Sequence, residues 1–330
     1  MLNMICLGIE TTAHTASLSI VDDKGRIIFE NRDMYTREDG GIIPSDAALH
    51  HKKIFPLLLE KLNKEFDLKN VGVIALSSGP GLAPCLLEGM RFAKEIASKL
   101  NAPLIPVNHL VAHLEIGKLF SKAKDPVFIL ATGANTQIIA FESGNYRIFG
   151  ETLDTGIGNA LDKFGRIIGL GFPAGSKIEE LAKKGKYIDL GYVVKGMDLS
   201  FSGILTKAID LSKKGCSKED LCYSLQETYF SMLTEVTERA MAHVNKKEAL
   251  LIGGVAANKR LIEMLNIMCR ERKAKLYFVP VKYSGDQAAM IAYAGILQYK
   301  SNKKYYDNLK LQDIDINPNW RVEQVNITRV

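Results

Sequence analysis

The sequence predicts a duplicated α/β fold, two related domains facing each other across a cleft. Three observations carry this. At 330 residues the chain is too long for one small core and suits two domains. Its 47% hydrophobic and 24% charged content is that of an ordinary soluble globular protein, which excludes disorder, collagen and membrane spanning. Finally, the order strand, Gly-rich turn, helix, strand, helix occurs at 71–118 and again at 249–299. Only two copies are present and each half exceeds 100 residues, so the repeat describes paired domains rather than a solenoid.

The first half opens with apolar or alternating runs at 4–10, 15–21 and 26–30 separated by short polar turns, the pattern of a three-stranded meander. A helix is expected from Pro44-Ser45, with Ser45 as N-cap and Ile54, Leu57, Leu58 and Leu62 as its apolar positions. The buried strand VGVIALS (71–77) ends in GPGLAP (79–84); a helix runs through Arg91 and Ile96, a strand follows at 102–107, and a helix starting after Asn108 closes the half. The second half repeats the plan with strands at 127–132, 136–142 and 146–149, then a helical insertion over 158–245. After it come ALLIG (249–253), a helix through 258–271, a strand at 274–281 and a last helix starting near Asp286. The expected domains are therefore 1–125 and 126–300, with 301–330 as an extension that packs back or links to a partner.

Charge is unevenly placed. The net +6 lies wholly in residues 126–330, and 246–304 alone carries 12 basic and 4 acidic residues. Such a stretch is either a solvated lysine-rich surface or a footprint for an anionic partner such as nucleic acid. Cys6, Cys85, Cys216, Cys222 and Cys269 form no CxxC pair and read as small buried hydrophobes in a reducing compartment. MLNMICLGIE has no basic leader and no apolar run approaches a membrane span, so a cytoplasmic protein without membrane contact is expected.

The duplicated meander-plus-helices pattern resembles the actin-like ATPase superfamily, the ribonuclease H-like ASKHA fold. That resemblance implies nucleotide between the domains, its phosphates held by the turns joining the first two strands of each. Here these are Glu10-Thr11-Thr12 and Thr132-Gly133-Ala134-Asn135-Thr136, whose small and hydroxylic residues suit backbone and hydroxyl donation to phosphate but equally suit plain hairpins.

The sharpest constellation is HLVAH. Four residues apart on a helix, His109 and His113 share one face, either as a pair of metal ligands or as two buried hydrogen-bonded imidazoles. Asp286 opens the corresponding helix of the second half, so the duplication predicts that it joins them from the opposite side. Two His and a carboxylate with open positions suit Fe(II) or Zn(II). Leu110 follows His109, so the glutamate of an HExxH protease is missing and Glu115 falls outside the pair. His14, His50 and His51 read as capping or hydrogen-bonding groups, with His14 nearest a phosphate turn. Asp162 lies in the first turns of a helix, Gly175 starts another that carries Glu179, and each acid is either a macrodipole partner or a ribose acceptor. GMDLSFSG (196–203) reads as a constrained loop, and GGVAAN (253–258) as a turn open to a flat base, with Asn258 as its polar reader.

GIETTAHT, GPGLAP, NHLVAHLEIGKLF, GETLDTGIGNALD, KGMDLSFSG, GGVAAN and AMIAY run in order through almost the whole chain. In this it resembles the universal threonylcarbamoyladenosine-synthesis family, specifically the archaeal and eukaryotic catalytic subunit of the KEOPS complex, related to bacterial TsaD and formerly labelled an O-sialoglycoprotein endopeptidase. The resemblance implies transfer of threonylcarbamoyl from threonylcarbamoyl-adenylate to the adenosine beside the anticodon, position 37, of tRNAs reading codons that start with A. It implies a metal on His109, His113 and Asp286, and an adenylate, ATP or ADP on Leu130, Ala131, Thr132, Gly133 and Ala134 with Asp162, Gly175, Glu179 and Asn258. Implied partners are tRNA, a small dimerising subunit, a kinase-like subunit sometimes fused, for which 313–325 is a candidate linker, and an accessory subunit. The end at 322–328 reads alternatively as a strand packing on the first domain. Lys246 and Lys247 become candidates for the tRNA approach surface.

The family pattern is broken at a few places. Leu130 stands where Tyr is usual, at a position that is a further candidate metal contact, and Ala134 replaces a glycine in a turn that approaches phosphate. Gln287, Ala288 and Ala83 are also departures. These keep open a non-catalytic nucleotide-binding scaffold of the same complex, and more remotely a small-molecule kinase or a metalloprotease.

Overall fold

Ile5–Glu10 (β1), Thr15–Asp22 (β2) and Ile27–Met34 (β3) form the expected antiparallel meander. After α1 (Pro44–Glu65), the strand β4 (Val73–Gly79), helix α2 (Ala83–Leu100), strand β5 (Leu104–Asn108) and helix α3 (His109–Ser121) follow. β4 pairs in parallel with both β1 and β5, giving the sheet order β3-β2-β1-β4-β5. The computed structural model describes residues 4–37 and 41–325, which cluster into two units. One comprises the residues up to Leu119 together with those from Asp286 onward; the other is Phe120–Gly285.

The second unit repeats the topology. β6 (Val127–Ala131), β7 (Thr136–Glu142) and β8 (Asn145–Glu151) make a meander. α4 (Ile157–Ile167), α5 (Gly175–Ala182), a two-stranded hairpin of β9 (Val194–Lys195) and β10 (Asp198–Leu199), α6 (Ser202–Lys213) and α7 (Lys218–His243) intervene. β11 (Glu248–Ile252), α8 (Lys259–Glu271) and β12 (Lys275–Phe278) complete it. The order β8-β7-β6-β11-β12, with β11 parallel to β6 and β12, matches the first sheet strand for strand. This is the duplicated actin-like α/β architecture, found in the sequence as a repeat and in the structure as one topology used twice.

Alternation explains the layers of the first unit. Leu7 and Ile9 of β1 bury with Leu18, Ile20, Phe55, Leu58 and Ile96 on the face covered by α1 and α2. Across that contact Phe55 and Phe92 stack with centroids 4.6 Å apart, adding about 0.5–1.5 kcal/mol beyond their buried area. On the other face lies α9 (Ala288–Ser301), followed by α10 (Lys303–Asn308). Gly8 is the residue between Leu7 and Ile9, and only its lack of a Cβ lets the Ala288 carbonyl sit 2.2 Å from where one would be.

This close seating corrects the expected boundary. The sequence expects α9 in a second domain ending at residue 300; its small residues instead bury it against β1, β2 and β4, so everything from Asp286 belongs to the first unit. Other expectations also shift. α1 starts at Ile43–Pro44 with no side-chain cap, and Pro44, whose fixed φ suits a first turn, does the work assigned to Ser45. Leu57 is exposed and Phe55 takes its place in the core, and His50 and His51 lie within the helix. The insertion is not purely helical, since it holds the β9–β10 hairpin. Val322–Gln324 forms a 3-10 turn instead of a strand, and 326–330 lie outside the described residues.

Candidate functional site

The histidine helix begins where β5 ends. Asn108, the last residue of β5, caps it: its Oδ1 accepts from Val111 N at 3.0 Å. Every residue from His109 to Gly117 is buried, which is why two imidazoles one turn apart stay within the protein. Their rings meet edge to face with centroids 4.7 Å apart. Asp286 lies two residues before α9, not on the helix as the duplication predicts, and it reaches both rings from within the same unit. Its Oδ1 is 3.2 Å from His113 Nε2 and 3.5 Å from His109 Nε2.

Glu10, read from sequence as part of a phosphate turn, completes this cluster. Fully buried at the end of β1, it places Oε2 3.0 Å from His109 Nδ1, and its Oε1 accepts from Thr12 N at 2.7 Å and Thr12 Oγ1 at 2.5 Å. Two amides of the turn expected to meet phosphate are already bonded, Thr12 N to Glu10 and Thr11 N to Ser77 Oγ. The available signal was a carboxylate ending the apolar strand ICLGIE, since a buried acid requires a buried partner.

Electrostatics follow the geometry. Burial drives His109 toward neutrality, but the charges of Glu10 and Asp286 outweigh it and hold the imidazole up at about 10. Burial dominates at His113, whose pKa is lowered despite its bond to Asp286. Burial also opposes ionisation of Asp286, but the charge and hydrogen bond of His109 with those of His113 hold its carboxyl well below the usual range. The fit to a divalent ion rests on the donor set. Donor atoms of His109, His113 and Asp286 all lie within 4.8 Å of one another, and His109 backs onto a carboxylate, the arrangement that orients a metal-binding imidazole. Two nitrogens and one oxygen suit Fe(II) or Zn(II) better than Mg²⁺.

His50 and His51 make hydrogen bonds within the first unit. His51 Nε2 donates to Ala13 O at 3.1 Å, and burial pushes its pKa down to about 4. His50 contacts Asp33 at 2.7 Å. His14 contributes its carbonyl, which accepts from Tyr35 N.

In the second unit Leu130–Ala134 lie at the carboxyl end of β6 and Asn258 follows the end of β11, strand ends of the kind where open α/β sheets bind ligands, whereas Asp162 is on α4 and Gly175 and Glu179 are on α5. Thr132 closes its turn on Asn135 through backbone and hydroxyl. The first three amides of α4 are met by Thr136 Oγ1, Thr132 O and Gly133 O, an approach that Gly156 permits because a Cβ there would lie 2.3 Å from Gly133 O. Ala134 is exposed and is not among the residues with positive φ, so its methyl costs the turn nothing. Leu130 and Ala131 are fully buried, and Leu130 has no donor atom with which to ligate a metal.

Asp162, Gly175, Glu179 and Asn258 are joined by short links. Asp162 Oδ1 accepts from Ala174 N, the residue before Gly175 at the start of α5; Glu179 Oε1 accepts from Lys259 N, the residue after Asn258. Asn258 is mainly a cap: Oδ1 accepts from Arg260 N and Leu261 N, and Nδ2 donates to Gln226. GMDLSFSG becomes β10 and the start of α6, held by Asp154, whose carboxylate accepts from Ser200 Oγ, Phe201 N and Ser202 N.

The charge-rich stretch is less free than its composition implies. Lys246 is buried, 2.6 Å from Asp125 and 3.0 Å from Glu142, and donates to Phe141 O; Lys247 donates to Arg272 O. Lys246 therefore pairs with acids inside its own unit. Arg270, Lys273 and Lys275 are the exposed cations near the end of α8 and the edge strand β12. No helix among the described residues is long and apolar enough to cross a membrane.

Known proteins place this chain. It is 50% identical over 325 residues to the tRNA N6-adenosine threonylcarbamoyltransferase of Archaeoglobus fulgidus, covering 98% of this chain and 99% of the relative. It is 47% identical to a probable bifunctional tRNA threonylcarbamoyladenosine biosynthesis protein of Methanocaldococcus jannaschii, where 98% of this chain spans 60% of the longer relative. In fold it is similar to HypF from T. kodakarensis, with a TM-score of 0.62 at 15% identity over 90% of this chain and 48% of that one. The family model for tRNA N6-adenosine threonylcarbamoyltransferase matches residues 26–293, and the chain belongs to this TsaD family.

Proposed function

We propose that this protein transfers threonylcarbamoyl from threonylcarbamoyl-adenylate to N6 of the adenosine beside the anticodon, at position 37, of tRNAs reading codons that start with A. The observation that carries the reading is the His109–His113–Asp286 group, its two histidines buried and His109 set on Glu10, in a chain of this family. The adenylate is a mixed anhydride and already activated. The N6 amine attacks the carbamoyl carbon, the new C–N bond replaces the C–O bond to phosphate, and AMP leaves. Orientation is most of what such a reaction needs, and no covalent enzyme intermediate is required.

The second unit is the adenylate holder in this reading, through the Thr132–Ala134 turn with Asp162, Gly175, Glu179 and Asn258. In the first unit, His109, His113 and Asp286 hold an Fe(II) or Zn(II) ion, with Glu10 orienting His109. When bound, that ion supplies a Lewis acid for the carbamoyl oxygen or the departing phosphate. The protein works in the cytoplasm as the catalytic subunit of a KEOPS assembly, beside a small dimerising subunit, an accessory subunit and a kinase-like subunit. The bifunctional names of longer relatives support a partner that is fused in some of them. The scaffold reading loses one ground, because Ala134 is compatible with the turn it occupies.

The test reconstitutes the chain with the adenylate synthase, partner subunits and tRNA and measures threonylcarbamoyl incorporation. Wild type incorporates and His109→Ala loses about 100-fold or more, in line with removal of a group acting on the reacting centre. A wild type that is silent where the Archaeoglobus relative works overturns the transferase reading. Full activity of His109→Ala removes the metal from it.

A further inference from the structure

The chain after α10 crosses the first unit as a strap over the ends of β4 and β5. Ile314 buries in the core beside α1 and α2, and Val322 and Val325 are buried anchors at the far end. Between them three hydrogen bonds fasten the strap. Asn317 N donates to Ser78 O at 2.7 Å, Gly81 N donates to Pro318 O at 3.1 Å, and Asn108 Nδ2 donates to Trp320 O at 3.0 Å. Gly79 has φ +146°, and a Cβ on it would lie 1.8 Å from Asn317 O, so the strap passes where only glycine leaves room.

Asn108 ties this strap to the histidines. It is fully buried and both ends of its amide are committed, Nδ2 to Trp320 O and Oδ1 to Val111 N. The amide reads one way only, because Trp320 O accepts and Val111 N donates. Val111 stands midway between His109 and His113 in the first turn of α3, where amides have no carbonyl of their own helix to bond. The seat of the strap thus fixes the Asn108 amide plane, and that plane fixes the first turn of the helix bearing both imidazoles.

We propose that Asn108 is a positioning residue for His109 and His113 and that the strap Asn317–Trp320 sets it, so that any load on the C-terminal segment is passed to the histidine pair. Its consequence for a bound ion rests on the metal reading above, whereas the mechanical link does not. A partner that grips the segment beyond Trp320 has, through one buried amide, a route to the histidine helix.

The link is tested in the full chain by following exchange of the Val111 amide, whose bond to Asn108 makes it the reporter, together with Zn(II) affinity by competition with a chromophoric chelator. Val322→Ala loosens the strap beyond Trp320. Asn108→Ser keeps a side chain able to cap Val111 but too short for Trp320 O. Val322→Ala is expected to speed Val111 exchange several-fold in the wild-type background and to leave it unchanged in Asn108→Ser, while amides of β1 stay protected in both. Zn(II) affinity falls about 10-fold in either single variant, the size expected for loss of a group that orients a ligand. Equal acceleration by Val322→Ala in both backgrounds, or none in either, overturns the proposal, as does unchanged Zn(II) affinity where Val111 exchange has moved. If the exchange pattern holds but wild type binds no Zn(II) or Fe(II), the strap linkage stands and the metal reading falls.

Discussion

Replacing Gly8 by Ala places a methyl in the contact between β1 and α9. Its Cβ would lie 2.2 Å from Ala288 O, 2.8 Å from Ala292 N and 2.9 Å from Ala292 Cβ, atoms that no side-chain rotation can remove. Ordinary contact begins at 3.4 Å, so α9 has to retreat by about 1 Å. Overpacking of this kind costs about 1–3 kcal/mol. Ala recovers about 0.5–1 kcal/mol of the conformational entropy that Gly loses in a strand, leaving a net loss of up to about 2.5 kcal/mol. Asp286 stands two residues before α9 and moves with it. Metal–ligand distances tolerate only about 0.2 Å, so a shift of about 1 Å removes the carboxylate from coordination and lowers Zn(II) affinity about 100-fold. Urea unfolding reads the first effect and chelator competition the second. Gly72→Ala is the control, since its nearest neighbour, Ile5 O, is at 3.8 Å and neither quantity should change. A Gly8→Ala protein with wild-type stability and Zn(II) affinity would refute the argument that the seat of α9 on β1 places Asp286.

Three further outcomes are expected. Glu10→Gln lowers Zn(II) affinity about 10–100-fold with circular dichroism unchanged, and undiminished affinity would show that Glu10 does not orient His109. Lys246→Met destabilises by about 1 kcal/mol, because the Asp125 and Glu142 it leaves behind are partly exposed, while the salt slope of tRNA binding stays the same. A slope smaller by about one would return Lys246 to a phosphate contact. His51, held down at about 4 against an ordinary 6.5, binds fewer protons folded than unfolded across that interval. Its contribution is present above pH 6.5 and is lost as pH falls toward 4, on the order of 3 kcal/mol in all. His51→Gln flattens that part of the stability profile, and parallel profiles for the two proteins would remove His51 as its cause.

Much of the fold is legible in the sequence because strands and helices bury one face with a fixed period. Thr136–Glu142 matches the expected strand, and the repeat of strand, turn, helix, strand, helix resolves into two sheets with one order. Local signals were weaker wherever a competing local device was available. Ser45 looks like a cap, but Pro44 at the first helical position already sets the backbone; Leu57 keeps helical spacing, but Phe55 fills the core. Lys246 has the composition of a nucleic-acid contact and the surroundings of a buried ion pair, which charge counting cannot separate.

Residue types and their spacing already specify the chemistry available: a pair of imidazoles at helical spacing, a carboxylate at 286, and small turns at the ends of β6 and β11. The hydrogen bonds of a single helix and the alternation of a strand are local, so their residue types and spacing carry that information. Long-range packing is what sets Asp286 in the same unit as the histidines, puts Glu10 behind His109, and joins the C-terminal strap to the histidine helix through Asn108. Those three outcomes depend on close approaches between segments about 100 to 210 residues apart. They arise where a missing Cβ at Gly8 or Gly79 lets backbone meet backbone and where a buried polar group is obliged to find its partner.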